Sequence, residues 1–150
     1  MRILRKFGRR PAELHMKVCV IHGDYPKNDL SAIGTGVWDT GADITAVDHS
    51  LAESIGLRRL DIPPRHVRTG GGIILAYFYE ACIQLAPDTQ PIHMIVSEIF
   101  NSDVAVLIGM DIINKGEFLL TQVNGEALLD FFAPDEALAS LAPPHTDTIQ

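Results

Sequence analysis

The chain has 150 residues, which fits one domain rather than two. A composition of 47% hydrophobic and 21% charged residues excludes a disordered or fibrous protein. Net charge is −7, yet five of the 12 basic residues fall in the first ten (Arg2, Arg5, Lys6, Arg9 and Arg10), leaving seven basic against 19 acidic residues in the rest, a net of −12. A body that acidic repels phosphate backbones, so nucleic acid is excluded as a partner of the domain.

No run approaches the ~20 apolar residues of a membrane helix, so no membrane association is expected. The basic head lacks the continuous apolar stretch of a signal peptide, and a cytoplasmic, reducing setting follows as the expectation. The two cysteines, Cys19 and Cys82, are too few for a disulfide framework and read as buried thiols.

Residues 1–13 read as a flexible basic segment. Leu14 to Ile21 alternates and then turns wholly apolar, as a strand does. Turn formers fill Gly23 to Asp29, and Leu30 to Trp38 reads as a second strand softened by Gly34 and Gly36. Val47, Leu51 and Ile55 recur every fourth residue, predicting a helix with Asp48 as its cap and Gly56 just past its end. Val67 to Leu85 predicts two strands about Gly70, Gly71 and Gly72. Short apolar runs follow at Ile92 to Val96 and Val104 to Ile108. Gly109 to Lys115 predicts one or two helical turns. Phe118 to Val123 and Glu126 to Phe132 flank Asn124-Gly125, a strong hairpin signal because both central residues need positive φ. Asp135 to Leu141 predicts a weak helix within a loose tail, 134–150. The expected architecture is a mainly β domain over 14–133 with one or two short helices.

The six histidines (His15, His22, His49, His66, His93 and His145) show no i, i+4 pair, and there is no CxxC, so the sequence points to no metal site. Neither glycine cluster matches a phosphate loop, and no serine lies in G-x-S-x-G. No cofactor is expected. What remains is Val37-Trp38-Asp39-Thr40-Gly41-Ala42, an apolar strand running into a carboxylate, a hydroxyl and a glycine. That order places a carboxylate at the buried end of a strand, where backbone N–H groups can reach it. Asp, Thr and Gly also all favour plain turns.

Two later features narrow the choice: the glycine-tipped hairpin at Thr69 to Gly72, and Leu107-Ile108-Gly109 ahead of a short helix. With Asp39-Thr40-Gly41-Ala42 before them, the stretch from Met16 to Phe132 resembles the retropepsin family, the retroviral-type aspartic proteases and their cellular relatives. Gly109-Met110-Asp111-Ile112-Ile113 through Asn124-Gly125 is similar to bacterial members. The resemblance implies a single-lobe acid-protease fold closed as a homodimer. It makes Asp39 the catalytic residue and gives Thr40 the task of tying the active-site loops together. It puts Gly41, Ala42 and Asp43 against substrate, makes Thr69, Gly70, Gly71 and Gly72 a flap, and sets Leu107 and Ile108 beneath the catalytic loop among the substrate-binding elements. It also implies that the terminal strands, with Phe131 and Phe132, pair between copies.

The chain departs from viral members at Trp38, where they carry an aliphatic residue, and at Met110, where they carry a helix arginine. The chemistry argues separately for two chains. Amide hydrolysis by carboxylates needs two of them sharing one proton, and only one Asp-Thr-Gly is present. The expected activity is therefore that of an aspartic endopeptidase acting on a peptide or protein substrate. A non-catalytic peptide-binding or dimerisation domain of the same fold, and a chance Asp-Thr-Gly in an unrelated β domain, are the other readings.

Overall fold

The computed structural model describes residues 1–9, 11, 13–100 and 103–144. Eleven strands and three short helices are described: β1 (Arg2–Arg9), β2 (His15–His22), β3 (Ser31–Trp38), β4 (Ala46–Asp48), α1 (His49–Ser54), β5 (Arg65–Thr69), β6 (Gly72–Ala76), β7 (Phe78–Gln84), β8 (Ile92–Ile99), β9 (Val106–Ile108), α2 (Met110–Ile113), β10 (Glu117–Val123), β11 (Glu126–Phe132) and α3 (Asp135–Ala139). Six of the strands close a barrel in the order β2-β3-β9-β4-β8-β7. Their inward positions are β-branched or aliphatic: Val18, Val20, Val47, Ile83, Val96, Val106 and Ile108 are wholly or almost wholly buried. Such side chains suit a pleated, buried surface.

A second sheet, β1-β11-β10, backs the barrel. Trp38, the last residue of β3, joins the two layers. Its ring lies 5.1 Å from Phe131 and 5.5 Å from Phe118, both in tilted contact, and its indole N–H donates to the Met16 sulfur. The Trp38 ring is thus large enough to span both layers. Phe131 is fully buried within this layer, with Leu129 beside it. The expected exposure of Phe131 to a second copy is therefore corrected. Only Phe132, half exposed, faces outward from the end of β11.

Residues Arg2–Arg9, expected to be flexible, are instead strand β1, antiparallel to β11 with Ile3 opposite Phe131 and Phe7 opposite Ala127. Ile3 is buried in the core. The charges that seemed to interrupt the segment are its outward positions, and Arg2 chelates Asp130 through Nε and Nη2. The amino terminus donates to the Ala133 carbonyl and pairs with Asp135 at the start of α3.

Asp48 caps α1 by accepting from the N–H groups of Ser50 and Leu51, and Gly56 follows at φ +68°. Val47, expected on the helix, belongs to the preceding strand β4, where it pairs with Val106 and Glu98. Asn124 and Gly125 take φ 52° and 78° and turn β10 into β11. Residues 145–150 of the expected tail lie outside the described residues. No helix among the described residues is long and apolar enough to cross a membrane.

Candidate active site

β3 runs parallel to β9, with Trp38 opposite Ile108. One residue further, the Asp39 N–H donates to the Ile108 carbonyl at 2.9 Å, so the last bond of the ladder fixes the backbone of the carboxylate residue. The chain then turns. The Gly41 N–H donates to Asp39 Oδ1 at 2.8 Å, and the Ala42 N–H donates to the Asp39 carbonyl at 3.2 Å. An N–H aimed at one carboxylate oxygen orients the group and leaves the other oxygen free. Asp39 is half exposed, while Thr40, Gly41 and Asp43 are exposed.

The loop after Asp39 is held from below by α2. The Met110 N–H donates to the Ala42 carbonyl at 2.7 Å. Thr45 is fully buried and works in both directions: its hydroxyl donates to Asp111 Oδ1 at 2.6 Å and accepts from the Gly109 N–H at 3.0 Å. Its own N–H reaches both Asp111 oxygens at 3.0 Å. A Cβ on Gly109 would stand 2.7–2.9 Å from the Ile44 carbonyl group and the Thr45 nitrogen, so only glycine lets these two segments meet. Within one chain, Thr45 and Asp111 therefore hold this loop. Their spacing gives no local signal. An exposed hydroxyl at Thr40 has no hydrogen-bond partner among the described residues.

Ile108 is fully buried and Leu107 half buried. Ile108 thus supports Asp39 through its carbonyl and its side chain does not reach a substrate.

The predicted flap is a hairpin. β5 and β6 pair from Arg65 opposite Ala76 to Thr69 opposite Gly72 and form a two-stranded sheet of their own. At the tip, the Thr69 hydroxyl donates to the Gly72 carbonyl and accepts from the Gly71 N–H, with Gly72 at φ +121°. Thr69, Gly70, Gly71 and Gly72 are all exposed.

The base of this hairpin is tied to the loop that carries Asp39. Arg65 chelates Asp43 through Nη1 and Nη2 at 3.0 and 2.8 Å. The hydrogen bonds from Arg65 hold the Asp43 carboxyl below its ordinary value and push the guanidinium up in turn. The arginine that Asp43 takes thus comes from the hairpin, not from α2. No group of three His, Cys, Asp or Glu side chains among the described residues converges to hold a metal ion.

No family model and no curated protein matches the chain. Solved structures do. A retropepsin-like aspartic protease from Rickettsia conorii superposes over 89% of this chain and 95% of its own, with a TM-score of 0.50 at 13% identity. The chain has the retropepsin-like fold. Two further structures align with lower scores. The EIAV protease, solved with an inhibitor, matches over 70% of this chain and 88% of its own, with a TM-score of 0.48 and 15% identity. The retroviral protease-like domain of Ddi1 from Leishmania major matches over 81% and 96%, with a TM-score of 0.44 and 15% identity. Within the retropepsin-like fold, β3 delivers Asp39, β9 supports it, and the β5–β6 hairpin is anchored beside it through Asp43.

Proposed function

We propose that the chain is an aspartic endopeptidase in which two copies each contribute Asp39 to one dyad. The observation that carries this reading is the setting of Asp39. The residue sits at the end of a buried strand, with its backbone fixed by Ile108, one carboxylate oxygen held by Gly41 and the group half exposed. A carboxylate so oriented, and without an ion-pair partner among the described residues, is suited to proton transfer.

In the dimer the two carboxylates hold one proton between them, because like charges about 3 Å apart cannot both ionise. The ionised Asp39 takes a proton from water as that water attacks the peptide carbonyl. The protonated Asp39 donates to the carbonyl oxygen. The resulting tetrahedral diol breaks its C–N bond as a proton passes to the amine, and the dyad is left with one proton again. Thr40, exposed beside Asp39, would hydrogen-bond across the two-fold axis. Ala42 and Asp43 would border the subsites, and the Gly70–Gly72 tip would close over the peptide.

Cleavage of a mixed peptide library by the chain and by its Asp39→Asn form, over a series of pH values, tests the proposal. Cleavage confined to the parent supports it. Equal cleavage by both forms, or none by either in a dimeric sample, contradicts it and favours a non-catalytic peptide-binding domain of the same fold.

A further inference from the structure

The barrel is not sealed along the whole of β2. β3 pairs with β2 from His15 to Ile21, but β7 pairs with it only from Cys19 to His22. Between His15 and Val18 the second edge of β2 therefore has no strand partner among the described residues. The far edge of β1 is likewise open, because β1 ends its sheet. These two open edges line one cleft of about 500 Å3, in which consecutive rather than alternate residues face the space: Arg5 to Phe7 on one side, His15 to Cys19 on the other. Consecutive lining is what a strand presents edge-on, since successive side chains point to opposite faces. Backbone N–H and C=O groups of alternate residues on each edge are directed away from the existing partner.

The cleft also carries cations. Lys6 is paired with Glu126 and His15 with Glu13. Arg5 and Lys17 have no ion-pair partner among the described residues. Between them lies apolar surface, with Ile33 72% exposed and Phe7 half buried. Two free cations over apolar surface, in a protein whose charge beyond the first ten residues is strongly negative, select an anionic and partly apolar guest.

We propose that this cleft is a docking site, separate from Asp39, for an extended acidic peptide that adds as a strand to the open edges of β1 and β2. Main-chain hydrogen bonds would supply affinity, and the peptide's acidic side chains would meet Arg5 and Lys17 while an apolar one covers Ile33, which shares the outer face of the β2–β3 pair with Lys17. This goes beyond the proposed function and does not depend on it, since no residue of the cleft belongs to the Asp39 site.

The test uses the full chain carrying Asp39→Asn, so that the probe cannot be cut. The probe is a fluorescein-labelled peptide amide, Asp-Val-Glu-Val-Asp-Val-Glu, followed by anisotropy. Binding should weaken at least tenfold in Arg5→Glu/Lys17→Glu, and should be lost when alternate amides of the peptide are N-methylated. Independently of any variant, the peptide should slow amide hydrogen exchange in segments 5–7 and 15–18. No binding at millimolar peptide, equal binding of the N-methylated form, or unchanged exchange in both segments would overturn the proposal. The cations would then only guard an open edge against aggregation.

Discussion

In the proposed function Asp39 carries the chemistry, and its neighbours would divide into those that hold it and those that would meet a substrate. Asp39→Asn keeps the shape and the Gly41 hydrogen bond but removes the shared proton, so peptidase activity should fall to background with an unchanged melting curve. Thr45 is the holding residue. Thr45→Val removes one of the donors to Asp111 and leaves the buried Gly109 N–H without its acceptor, and a buried group left unpaired costs about 1–3 kcal/mol. Stability and kcat should drop together, and Thr45→Ser should restore both. A Thr45→Val protein with parental kcat would show that the loop does not need this anchor.

Asp43 works through Arg65, at a surface where an ion pair contributes little stability, about 0–1 kcal/mol. Its carboxyl is held below the ordinary value of 3.8, so the pair's contribution is complete above that pH and is lost as pH falls through the lower folded value. Any working range above that pH leaves it intact. Arg65→Gln should therefore cost threefold to tenfold in kcat/KM, about 0.7–1.4 kcal/mol, chiefly through KM and to the same extent at every pH above about 4. An unchanged KM would mean that the link between hairpin and loop is idle.

At the level of elements, the hairpin of β5 and β6 stands as a separate two-stranded sheet with an exposed glycine tip. Gly71→Val should slow turnover while the melting temperature hardly moves. A lower melting temperature with normal turnover would assign the tip a structural role alone. β11 is the opposite case: Phe131 is fully buried against Trp38, and Phe131→Ala should cost about 3–5 kcal/mol. Denaturant titration of that variant distinguishes this from a residue that leaves the fold intact and only loosens assembly.

The same elements explain what could be read from sequence. Asp39 was legible because strand, turn and glycine are adjacent in the chain, and the Asn124-Gly125 turn because its φ requirement is local. β1 was hidden because only Ile3 and Phe7 mark its inner face, and their partners lie more than a hundred residues away in β11. β4 has three residues, too short for a period, and Val47 fell in step with a genuine helical spacing. The Thr45–Asp111 and Arg65–Asp43 contacts join segments that nothing in the sequence brings together.

For the whole molecule, the proposed dyad requires two chains for one active site, and two-fold symmetry would place equivalent residues at the shared axis. Specific activity should fall on dilution to concentrations at which light scattering detects monomer. The most direct measurement is subunit mixing. Parent and Asp39→Asn chains are refolded together in equal amounts, and total activity is compared with that of the parent refolded alone at the same total protein. A shared dyad leaves activity only in the parent homodimers, about a quarter of random pairs. Activity of half, linear in the fraction of parent chain, would mean that each chain works alone and would contradict the two-chain dyad.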